Sequence, residues 1–303
     1  MAIDFGKVAV LMGGGSAERD VSLNSGQAVL TALLHQGVDA HGIDVDRNIF
    51  QTMTEGKYDR VFKILHGRGG EDGVIQGMLD ILQIPYTGTG VLGSALAMDK
   101  MRTKQLWKGL DLPTPDYYVL NNEDDCQLAV KKLGLPLMIK PVLEGSSIGM
   151  SKVVSVNDIN QAWLEAMHCG GVVIAEKFIE GQEYTAAILG ERVLPMIRLE
   201  TPRDFYDYKA KYDDNSTQYH CPCGFSDEYE QQLSELMLSA FKSVDANGWG
   251  RVDFMLDEED RSWLIEVNTV PGMTDHSLVP MAAKQAGMSF DELVIEILKG
   301  AIN

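Results

Sequence analysis

Long hydrophobic runs are missing from this sequence of 303 residues. A membrane-spanning helix needs about 20 consecutive apolar residues, and no stretch of the sequence comes near that length. The first apolar run, Val8–Met12, is also too short for the core of a signal peptide and predicts a β-strand instead. We therefore expect a protein that binds no membrane and works in the cytoplasm.

Cysteine is scarce as well, with four residues in the whole chain. Only Cys221 and Cys223 lie close together, in the sequence His220-Cys221-Pro222-Cys223, which has the spacing of half a zinc site. The sequence contains no second Cys or His pair at ligand spacing. We therefore expect free thiols in a loop rather than bound zinc.

Positive charge is in short supply, because 26 Lys and Arg stand against 44 Asp and Glu, for a net charge of −18. This balance leaves little room for a broad basic face and argues against nucleic-acid binding. It also means that an anionic ligand must be held by a few local cations. Lysines beside glycines or at strand ends are therefore the first candidates for contacts with phosphate.

The sequence does have a regular alternation of strand and helix patterns over its first ninety residues. Short apolar runs at Lys7–Met12, 40–45, 60–65 and 84–87 predict four strands. Apolar residues at helical spacing separate these runs, and Gly37 is placed to end the first helix. Such alternation predicts a parallel sheet with helices on its faces.

A boundary is predicted at Leu112-Pro113-Thr114-Pro115, and two further stretches of mixed strand and helix follow it. The polar segment 201–222 has no clear period, and a loop of that length in a compact protein is usually a functional lid or disordered. A helix from Ser226 to about Asn247 comes next, with Ser226 as its N-cap.

The segment 251–268 carries the clearest chemistry in the sequence. It predicts a hairpin of two strands joined by the loop 258–261, with side chains alternating between two faces. Folding the hairpin about that loop brings Asp253 directly opposite Glu266, at a Cβ separation of about 5 Å. Two carboxylates at that distance repel each other unless a cation lies between them.

Asn268 decides how this pair is interpreted. Facing carboxylates alone also fit a solvated polar face of an antiparallel hairpin. Asn268 adds a third oxygen on the same face, and carboxylate and amide oxygens suit Mg²⁺ that is bound together with phosphate. The same alternation predicts that Ile265 and Val267 point to the opposite face. Gly272 in the following loop leaves backbone N–H groups free to approach a reacting centre.

A second candidate site is the segment 139–149. Lys140 ends an apolar strand and precedes Glu144-Gly145-Ser146-Ser147-Ile148-Gly149. A lysine that faces a loop of glycine and serine fits a phosphate clamp, although the order of residues is not that of a Walker A motif. The alternative interpretation is an ordinary strand end.

The stretch Gly88–Gly93 matches the G-x-G-x-x-G pattern of dinucleotide-binding proteins, with Asp111 near the expected acidic position. That pattern should end the first strand of a βαβ unit, and the acid should close the second strand. Asp111 instead lies in a Gly-Leu-Asp-Leu-Pro turn after a lysine-rich helix. We therefore do not expect NAD binding.

Taken together, these segments resemble the ATP-grasp ligases, and specifically the D-alanine–D-alanine ligase family. The resemblance spans the whole chain in order, with two small departures: Gly15 stands where a threonine is common, and Pro-Val-Leu precedes Glu144. The stretches that carry it are Gly13–Ser22, His66–Gly73, Met98–Lys100, Lys140–Gly149, Tyr208–Tyr212, Arg251–Asp253, Glu266–Thr274 and His276–Leu278.

The resemblance implies an α/β fold of three domains. An N-terminal parallel, Rossmann-like domain at 1–97 would bind substrate, and a central ATP-grasp domain would span 98–180. A C-terminal ATP-grasp domain at 181–303 would carry the metal site and a lid loop at about 201–222. The two ATP-grasp domains, both of the α+β type, would clamp ATP between them, and the family also implies a homodimer.

The implied reaction joins two D-alanine molecules through an acyl phosphate, at the expense of ATP, for peptidoglycan precursor synthesis. Two Mg²⁺ ions, with Mn²⁺ as the alternative, would be held by Asp253, Glu266 and Asn268. The residues that the resemblance assigns to ATP are Lys100, Lys140, Glu176, Lys177, Ile179, Glu183, Phe205, Lys211 and Glu266.

For the D-alanine molecules, the resemblance places Glu18 at the ammonium of the first, and Ser277 at the carboxylate of the second. Arg251 and the Gly272 N–H would stabilise the tetrahedral oxyanion. The full substrate-binding set is Glu18, Val21, His66, Ser146, Arg251, Gly272, Ser277 and Leu278. The catalytic set is Glu18, Ser146, Tyr212, Arg251, Gly272 and Ser277.

Two alternatives remain open at this point. In the family, tyrosine at the position of Tyr212 is associated with the amine substrate, and phenylalanine with an ester-forming D-alanine–D-lactate ligase. Tyr212 therefore favours the dipeptide over D-lactate, or over the product of another ATP-grasp carboxylate–amine ligase. A non-catalytic, two-lobed small-molecule binding protein is the rival from another class, and it would not need three metal-ligating side chains on facing strands.

Overall fold

A computed structural model describes residues 3–201 and 217–301, which form three sheets flanked by helices. The first sheet is parallel, with strand order β2-β1-β3, as the alternating pattern predicts. The elements of this part are β1 (Lys7–Met12), α1 (Arg19–His35), β2 (Asp39–Asp44), α2 (Ile49–Gly56), β3 (Arg60–Lys63), α3 (Val74–Leu82) and α4 (Val91–Met98).

The expected fourth strand at 84–87 is wrong, because only Tyr86 forms a bridge, to Val61. Val61 donates to the Pro85 carbonyl and accepts from the Thr87 N–H, so the chain runs beside β3 for a single residue. Gly88 then turns the backbone away at a φ of +78°. The positive φ of Gly37, +75°, confirms the predicted end of α1.

The glycines of the dinucleotide-like pattern serve packing. These glycines do not follow directly on a strand of the parallel sheet, because α3 lies between β3 and Gly88, and Gly90 is the N-cap of α4. A Cβ on Gly88 would lie 3.0 Å from Nε1 of the buried Trp249, and one on Gly93 would collide with the backbone of Asp245. These glycines therefore let α4 approach the C-terminal part of the chain closely.

The second sheet is antiparallel, with strand order β4-β7-β5-β6. Its small core is made by residues between Leu120 and Ala175. The elements of this part are α5 (Lys100–Gly109), β4 (Tyr117–Leu120), α6 (Glu123–Leu133), β5 (Leu137–Pro141), β6 (Ser151–Val153), α7 (Ile159–His168) and β7 (Val173–Lys177).

The third sheet has strand order β11-β10-β8-β12-β13, with β9 beside β8. The elements of this part are β8 (Gly181–Leu189), β9 (Arg192–Val193), β10 (Ile197–Glu200), β11 (Gln218–His220), α8 (Asp227–Ser243), β12 (Trp249–Asp257), β13 (Ser262–Asn268), α9 (Leu278–Gln285) and α10 (Phe290–Lys299).

Helix α8 begins where the sequence predicts, because the Ser226 hydroxyl accepts a hydrogen bond from the Tyr229 N–H at 3.3 Å. It ends at Ser243, earlier than the expected Asn247. The cause is local, since Asp245 adopts a φ of +58° and cannot continue a right-handed helix.

The three parts pack on one another. The largest core cluster joins Val10 and Phe62 of the first sheet to Leu278 of α9 and Leu293 of α10. Helix α5 is anchored by the fully buried Trp107, whose indole N–H donates to the Ala240 carbonyl at 3.2 Å. The domain boundaries drawn from the sequence stay predictions. Among the described residues, no helix combines the length and apolar character needed to cross a membrane.

Candidate active site

Two adjoining cavities lie where the three sheets meet. The first, of about 310 Å³, lies between the N-terminal part and the C-terminal sheet, and the second, of about 240 Å³, lies between the second and third sheets. Lys100 and Glu266 line both cavities, so the two spaces meet at this pair of side chains. Each predicted site residue that the structure describes lines one of these two cavities, or both.

Every residue predicted to bind D-alanine lines the first cavity: Glu18, Val21, His66, Ser146, Arg251, Gly272, Ser277 and Leu278. The described residues predicted to bind ATP line the second: Lys100, Lys140, Glu176, Lys177, Ile179, Glu183 and Glu266. Asp253 lines the second cavity and Asn268 the first. Phe205, Lys211 and Tyr212 lie outside the described residues.

The hairpin of β12 and β13 confirms that Asp253 and Glu266 are cross-strand partners. The sequence did not predict, however, that the register shifts by one residue within the hairpin. Nearer the loop, Phe254 pairs with Leu264, so Ile265 has no partner and forms a β-bulge. The extra residue interrupts the alternation of faces. Ile265 therefore lines the second cavity beside Glu266, and its expected place on the opposite face is wrong.

Each of the facing carboxylates has a cationic partner. Asp253 accepts two hydrogen bonds of 2.7 Å from the Arg251 guanidinium and one of 2.6 Å from the Thr185 hydroxyl. Glu266 lies 3.1 Å from Nζ of Lys100. These partners offset the repulsion between the buried carboxylate of Asp253 and the half-buried carboxylate of Glu266. The hairpin thus concentrates negative oxygen donors at the junction of the cavities.

Asn268 lies one pair further along the same face, opposite Arg251. Its side-chain oxygen accepts a hydrogen bond of 3.0 Å from the Val270 N–H, which fixes the direction of the amide. Because a carbonyl oxygen has two lone pairs, this bond leaves one for a cation. Asp253, Glu266 and Asn268 therefore form the kind of hard-oxygen donor set that Mg²⁺ prefers.

A buried cluster of charges flanks the second cavity. Nζ of Lys140 lies 2.5 Å from one carboxylate oxygen of Glu176, and Nζ of Lys104 lies 2.5 Å from the other. Burial by itself would raise the pKa of Glu176, but the two lysines outweigh it and hold the pKa below its ordinary value. Sequence reasoning missed Lys104. Its spacing from Lys100, four residues on the same helix, was the available signal.

The loop after β5 connects the two cavities. Ser146 lines the first and Ser147 the second, and both adopt left-handed conformations, with φ of 48° and 59°. Such backbone strain in non-glycine residues concentrates at functional sites. The Ser146 hydroxyl donates a short hydrogen bond to Glu18, and Nζ of Lys100 donates to the Glu144 carbonyl at 2.7 Å. The bond from Ser146 ties the loop to the N-terminal part of the chain, and the bond from Lys100 ties it to α5.

Glu18 occupies the N-cap position of α1, but its side chain makes no capping hydrogen bond. Its carboxylate is therefore directed to the first cavity, where Ser146 is a partner. Glu71 also lines this cavity and was missed by sequence reasoning. Burial, together with the nearby charge of Glu18, raises the pKa of Glu71 to about 8. Burial and the charge of Glu18 therefore favour the protonated, neutral form of Glu71 near pH 7.

His66 is 5% exposed, and its Nε2 atom has no hydrogen-bond partner among the described residues. The pKa of His66 is lowered to about 4, chiefly by burial. The charge of Arg251 contributes to this shift, and a hydrogen bond with the Val270 backbone opposes it. The imidazole is therefore neutral near pH 7, and Arg251 and Lys100 supply positive charge to the cavity.

Ser277 stands at the N-cap of α9, which is where a structural serine would be expected, but its hydroxyl does not cap the helix. It accepts a hydrogen bond of 3.0 Å from the Thr274 N–H and faces the first cavity. A Cβ on Gly272 would lie 2.9 Å from this hydroxyl, so glycine is needed there. The Met273 N–H donates to Ser25 at 3.1 Å and fixes the loop on α1.

Comparison with protein families agrees with this geometry. Residues 47–89 match the model of the "D-ala D-ala ligase N-terminus", and residues 106–299 match that of the "D-ala D-ala ligase C-terminus". The chain is 58% identical over 298 residues to the D-alanine–D-alanine ligase of Nitrosococcus oceani, covering 98% of this chain and 94% of that protein. It is 57% identical over 298 residues to the D-alanine–D-alanine ligase B of Pseudomonas syringae pv. tomato, covering 98% and 93%.

Solved structures extend the likeness to the fold. The D-alanine–D-alanine ligase of Bacillus anthracis, complexed with ATP, superposes with a TM-score of 0.85 at 28% identity, covering 98% of this chain and 97% of that one. The VanG D-Ala:D-Ser ligase of Enterococcus faecalis superposes with a TM-score of 0.86 at 29% identity, covering 98% and 99%. The fold thus accommodates more than one second substrate, and side chains must decide which one is used.

Proposed function

The chain belongs to the D-alanine–D-alanine ligase family, and from that premise we propose that it joins two D-alanine molecules into D-alanyl-D-alanine with ATP. The observation that carries the proposal is the junction of the two cavities at Lys100 and Glu266. A nucleotide in the second cavity would present its terminal phosphate to a carboxylate in the first. The product would serve peptidoglycan precursor synthesis.

In this proposal ATP lies in the second cavity, with its base beside Glu176, Lys177 and Ile179 and its ribose near Glu183. Lys100 and Lys140 contact the phosphates. These local cations let an anionic nucleotide bind to a protein whose net charge is −18. Lys211 and Phe205, which complete the set expected from the sequence, lie outside the described residues.

We further propose that Asp253, Glu266 and Asn268 hold two Mg²⁺ ions, with Mn²⁺ as the alternative. When bound, such ions would neutralise negative charge on the phosphates as a phosphoryl group moves. Lys100, at 3.1 Å from Glu266, keeps this carboxylate turned to the junction. Arg251 and Thr185 orient Asp253 in the same way, so the donor set is arranged by the protein itself.

The reaction has two steps. A carboxylate oxygen of the first D-alanine attacks the γ-phosphorus of ATP, the bond to the bridging oxygen breaks, and ADP leaves, which gives D-alanyl phosphate. The amine of the second D-alanine, once its ammonium group has lost a proton, attacks the acyl carbon, and phosphate leaves with the electrons of the C–O bond. Both steps gain from holding the reactants in line within a closed cavity.

The side chains of the first cavity have separate tasks in this scheme. Glu18 holds the ammonium group of the first D-alanine. Arg251 and the Gly272 N–H stabilise the oxyanion of the tetrahedral intermediate. Ser277, with the N–H of Leu278 at the start of α9, holds the carboxylate of the second D-alanine, where the positive end of the helix dipole favours an anion.

An acyl phosphate hydrolyses in water, so the site needs a cover. The sequence predicted a loop at about 201–222, and its end is wrong, because Gln218–His220 form β11 beside β10. We propose that the part of the segment before β11, with Tyr212, closes over the cavities. Tyr212 lies outside the described residues. We propose that it would join Ser146 and Glu18 in a hydrogen-bond network when the segment closes, as the family resemblance implies. Tyrosine at this position favours the amine nucleophile, and therefore the dipeptide, over D-lactate.

We propose a cytoplasmic homodimer as the working form. Four free cysteines fit a reducing compartment. Apolar side chains on α3 and α4 form an exposed face, with Val74, Ile81 and Leu92 at 67%, 77% and 59% exposure. In a chain of net charge −18, two copies repel each other over most of their surface, and an apolar face is where they can pack.

The test is product identity. The protein is incubated with ATP, Mg²⁺ and D-alanine, alone or with equimolar D-lactate or D-serine, and phosphate and product mass are measured. L-Alanine in place of D-alanine and chelation of the metal are the controls. We expect D-alanyl-D-alanine with one phosphate per product, and no phosphate in either control. A depsipeptide or D-alanyl-D-serine as the main product would contradict the proposed substrate, and ATP binding without phosphate release would contradict catalysis.

A further inference from the structure

A buried charge cluster flanks the second cavity and is not electrically balanced. Lys104, Lys140 and Glu176 are 1%, 4% and 2% exposed, so water screens none of them effectively. Two cations share one carboxylate, one on each oxygen, at 2.5 Å. The protein therefore buries one net positive charge here, which is costly unless an anion compensates it.

The two lysines stand in different positions relative to the cavity. Lys140 and Glu176 line it, whereas Lys104 does not and lies behind Glu176. The ammonium of Lys104 also donates to the Thr114 hydroxyl at 2.6 Å and to the Pro115 carbonyl at 3.4 Å. Glu176 engages this ammonium as an ion pair, and Thr114 and Pro115 accept hydrogen bonds from it, so Lys104 is held on the side of Glu176 away from the cavity.

Thr114 connects this arrangement to the strand that carries Glu266. Its hydroxyl, which accepts from Lys104, donates to the Leu264 carbonyl on β13 at 2.9 Å. Lys104 is thus fixed between β13 and Glu176 on β7, the strands that border the second cavity from two sides. A fixed cation in this place sets the position and the charge of Glu176.

The charge balance then decides what Lys140 can do. If Lys104 were neutral, the only cation on Glu176 would be Lys140, and the pair would be held as a closed ion pair. A phosphate group would have to compete with a buried carboxylate for that ammonium. With Lys104 in place, Glu176 is already neutralised from behind, and the positive charge of Lys140 remains for the phosphates.

We propose that Lys104 is a positioning residue for ATP, which neutralises Glu176 from the side away from the cavity and so leaves Lys140 available to the nucleotide phosphates. This rests on the proposed placement of ATP in the second cavity. The residue touches neither nucleotide nor amino acid and acts only through Glu176.

The protonation of Lys104 agrees with this role. The pKa of Lys104 is lowered to about 8, chiefly by burial. The charges of Lys140 and Lys108 contribute to this shift, and the charge of Glu176 opposes it. The ammonium is therefore present at neutral pH, and its loss lies within an accessible alkaline range. Glu176, Lys140 and Lys108 are the charged groups that face it.

The first experiment compares Lys104→Met with Lys108→Met. Lys108 lies one turn further along the same helix and pairs with Asp116 at the surface, at 2.6 Å, so it is a matched control for removing a lysine. We expect Lys104→Met to raise the KM for ATP about tenfold or more, corresponding to about 1.4 kcal/mol. The KM for D-alanine should change little, and Lys108→Met should change neither.

A double-mutant cycle separates positioning from mere structural support. If Lys104 acts through the charge of Glu176, then in Glu176→Gln there is no carboxylate to neutralise, and Lys104→Met should add almost no further loss of ATP affinity. Independent, additive losses would overturn the proposal. So would a normal KM for ATP in folded Lys104→Met, or equal changes in the KM for ATP and for D-alanine.

Two further measurements keep the result decisive. If Lys104→Met does not fold, Thr114→Val removes the hydrogen bond that orients Lys104, and a normal KM for ATP in that variant would count against the proposal. Titration calorimetry with ATP and Mg²⁺ alone reports nucleotide affinity whichever amino acids are joined. A wild-type protein that binds ATP but makes no dipeptide would contradict the proposed function without touching the role of Lys104.

Discussion

Asp253 and Glu266 are direct cross-strand partners at the junction of the two cavities, and the bulge at Ile265 is what aligns them. Nearer the loop, the hairpin runs in a register one residue different. Continued without the bulge, that register would turn Glu266 to the other face of the sheet. One unpaired residue therefore decides whether the hairpin presents one carboxylate to the nucleotide or two.

The first prediction concerns Glu266. Glu266→Gln should lower turnover at least 100-fold with the fold intact, because a neutral amide is a weaker metal ligand and no longer pairs with Lys100. The measurement is phosphate release across a range of Mg²⁺ concentrations. Glu258→Gln, in the exposed loop of the same hairpin, should behave as wild type. Near-normal turnover of folded Glu266→Gln would contradict the assignment of Glu266 as a metal ligand.

The second prediction concerns Glu18. Glu18→Gln should raise the KM for D-alanine far more than that for ATP, since the variant keeps the size of the side chain and loses only the charge that faces an ammonium group. Steady-state kinetics with each substrate varied in turn gives both constants. Asp20→Asn removes an exposed carboxylate on the first turn of the same helix and should change neither. Equal weakening of both substrates would mean that Glu18 supports the fold.

The third prediction concerns pH and His66. The folded pKa is lowered to about 4, below the ordinary 6.5, so the unfolded chain takes up a proton first as the pH falls. The free energy of unfolding therefore includes a contribution from neutral His66 that is fully present above pH 6.5 and is lost as the pH falls towards 4. It amounts to about 2 kcal/mol between pH 7 and pH 5, at roughly 1.4 kcal/mol per unit.

Denaturant unfolding at both pH values measures this loss. His66→Gln should lose less stability on acidification than wild type, by about that amount. The exposed His276 serves as the control, and His276→Gln should follow the wild type. A pH dependence that is the same in all three proteins would show that His66 is protonated alike in the folded and unfolded states.

The fourth prediction concerns self-association. Ile81→Glu places a charge on the apolar face of α3 and should convert a dimer into monomers, because a second negative charge would oppose it across the interface. Sedimentation or light scattering gives the mass. Val154→Glu, at a 66% exposed position outside that face, should leave the mass unchanged. A dimer that survives Ile81→Glu would place the interface elsewhere.

The sequence alone was enough for the three strands of the parallel N-terminal sheet and for the start of α8 at Ser226. These features rest on short-range signals, namely apolar periodicity, capping residues and motifs within a few positions of one another. The pairing of Asp253 with Glu266 was also predicted, but from a hairpin without a bulge. Near the loop Leu256 pairs with Ser262, and only the bulge restores the predicted pair.

Only the tertiary structure decided the bulge at Ile265, the turn of the Ser277 hydroxyl away from its helix, and the place of Lys104 behind Glu176. Each depends on contacts that local patterns do not encode. Ser146 and Glu18, hydrogen-bonded across the first cavity, are 128 residues apart in the chain. A lysine in a helix reads as solvent-exposed by composition, and it becomes a buried cation only because Glu176 and Thr114 are brought to it by the packing of separate sheets.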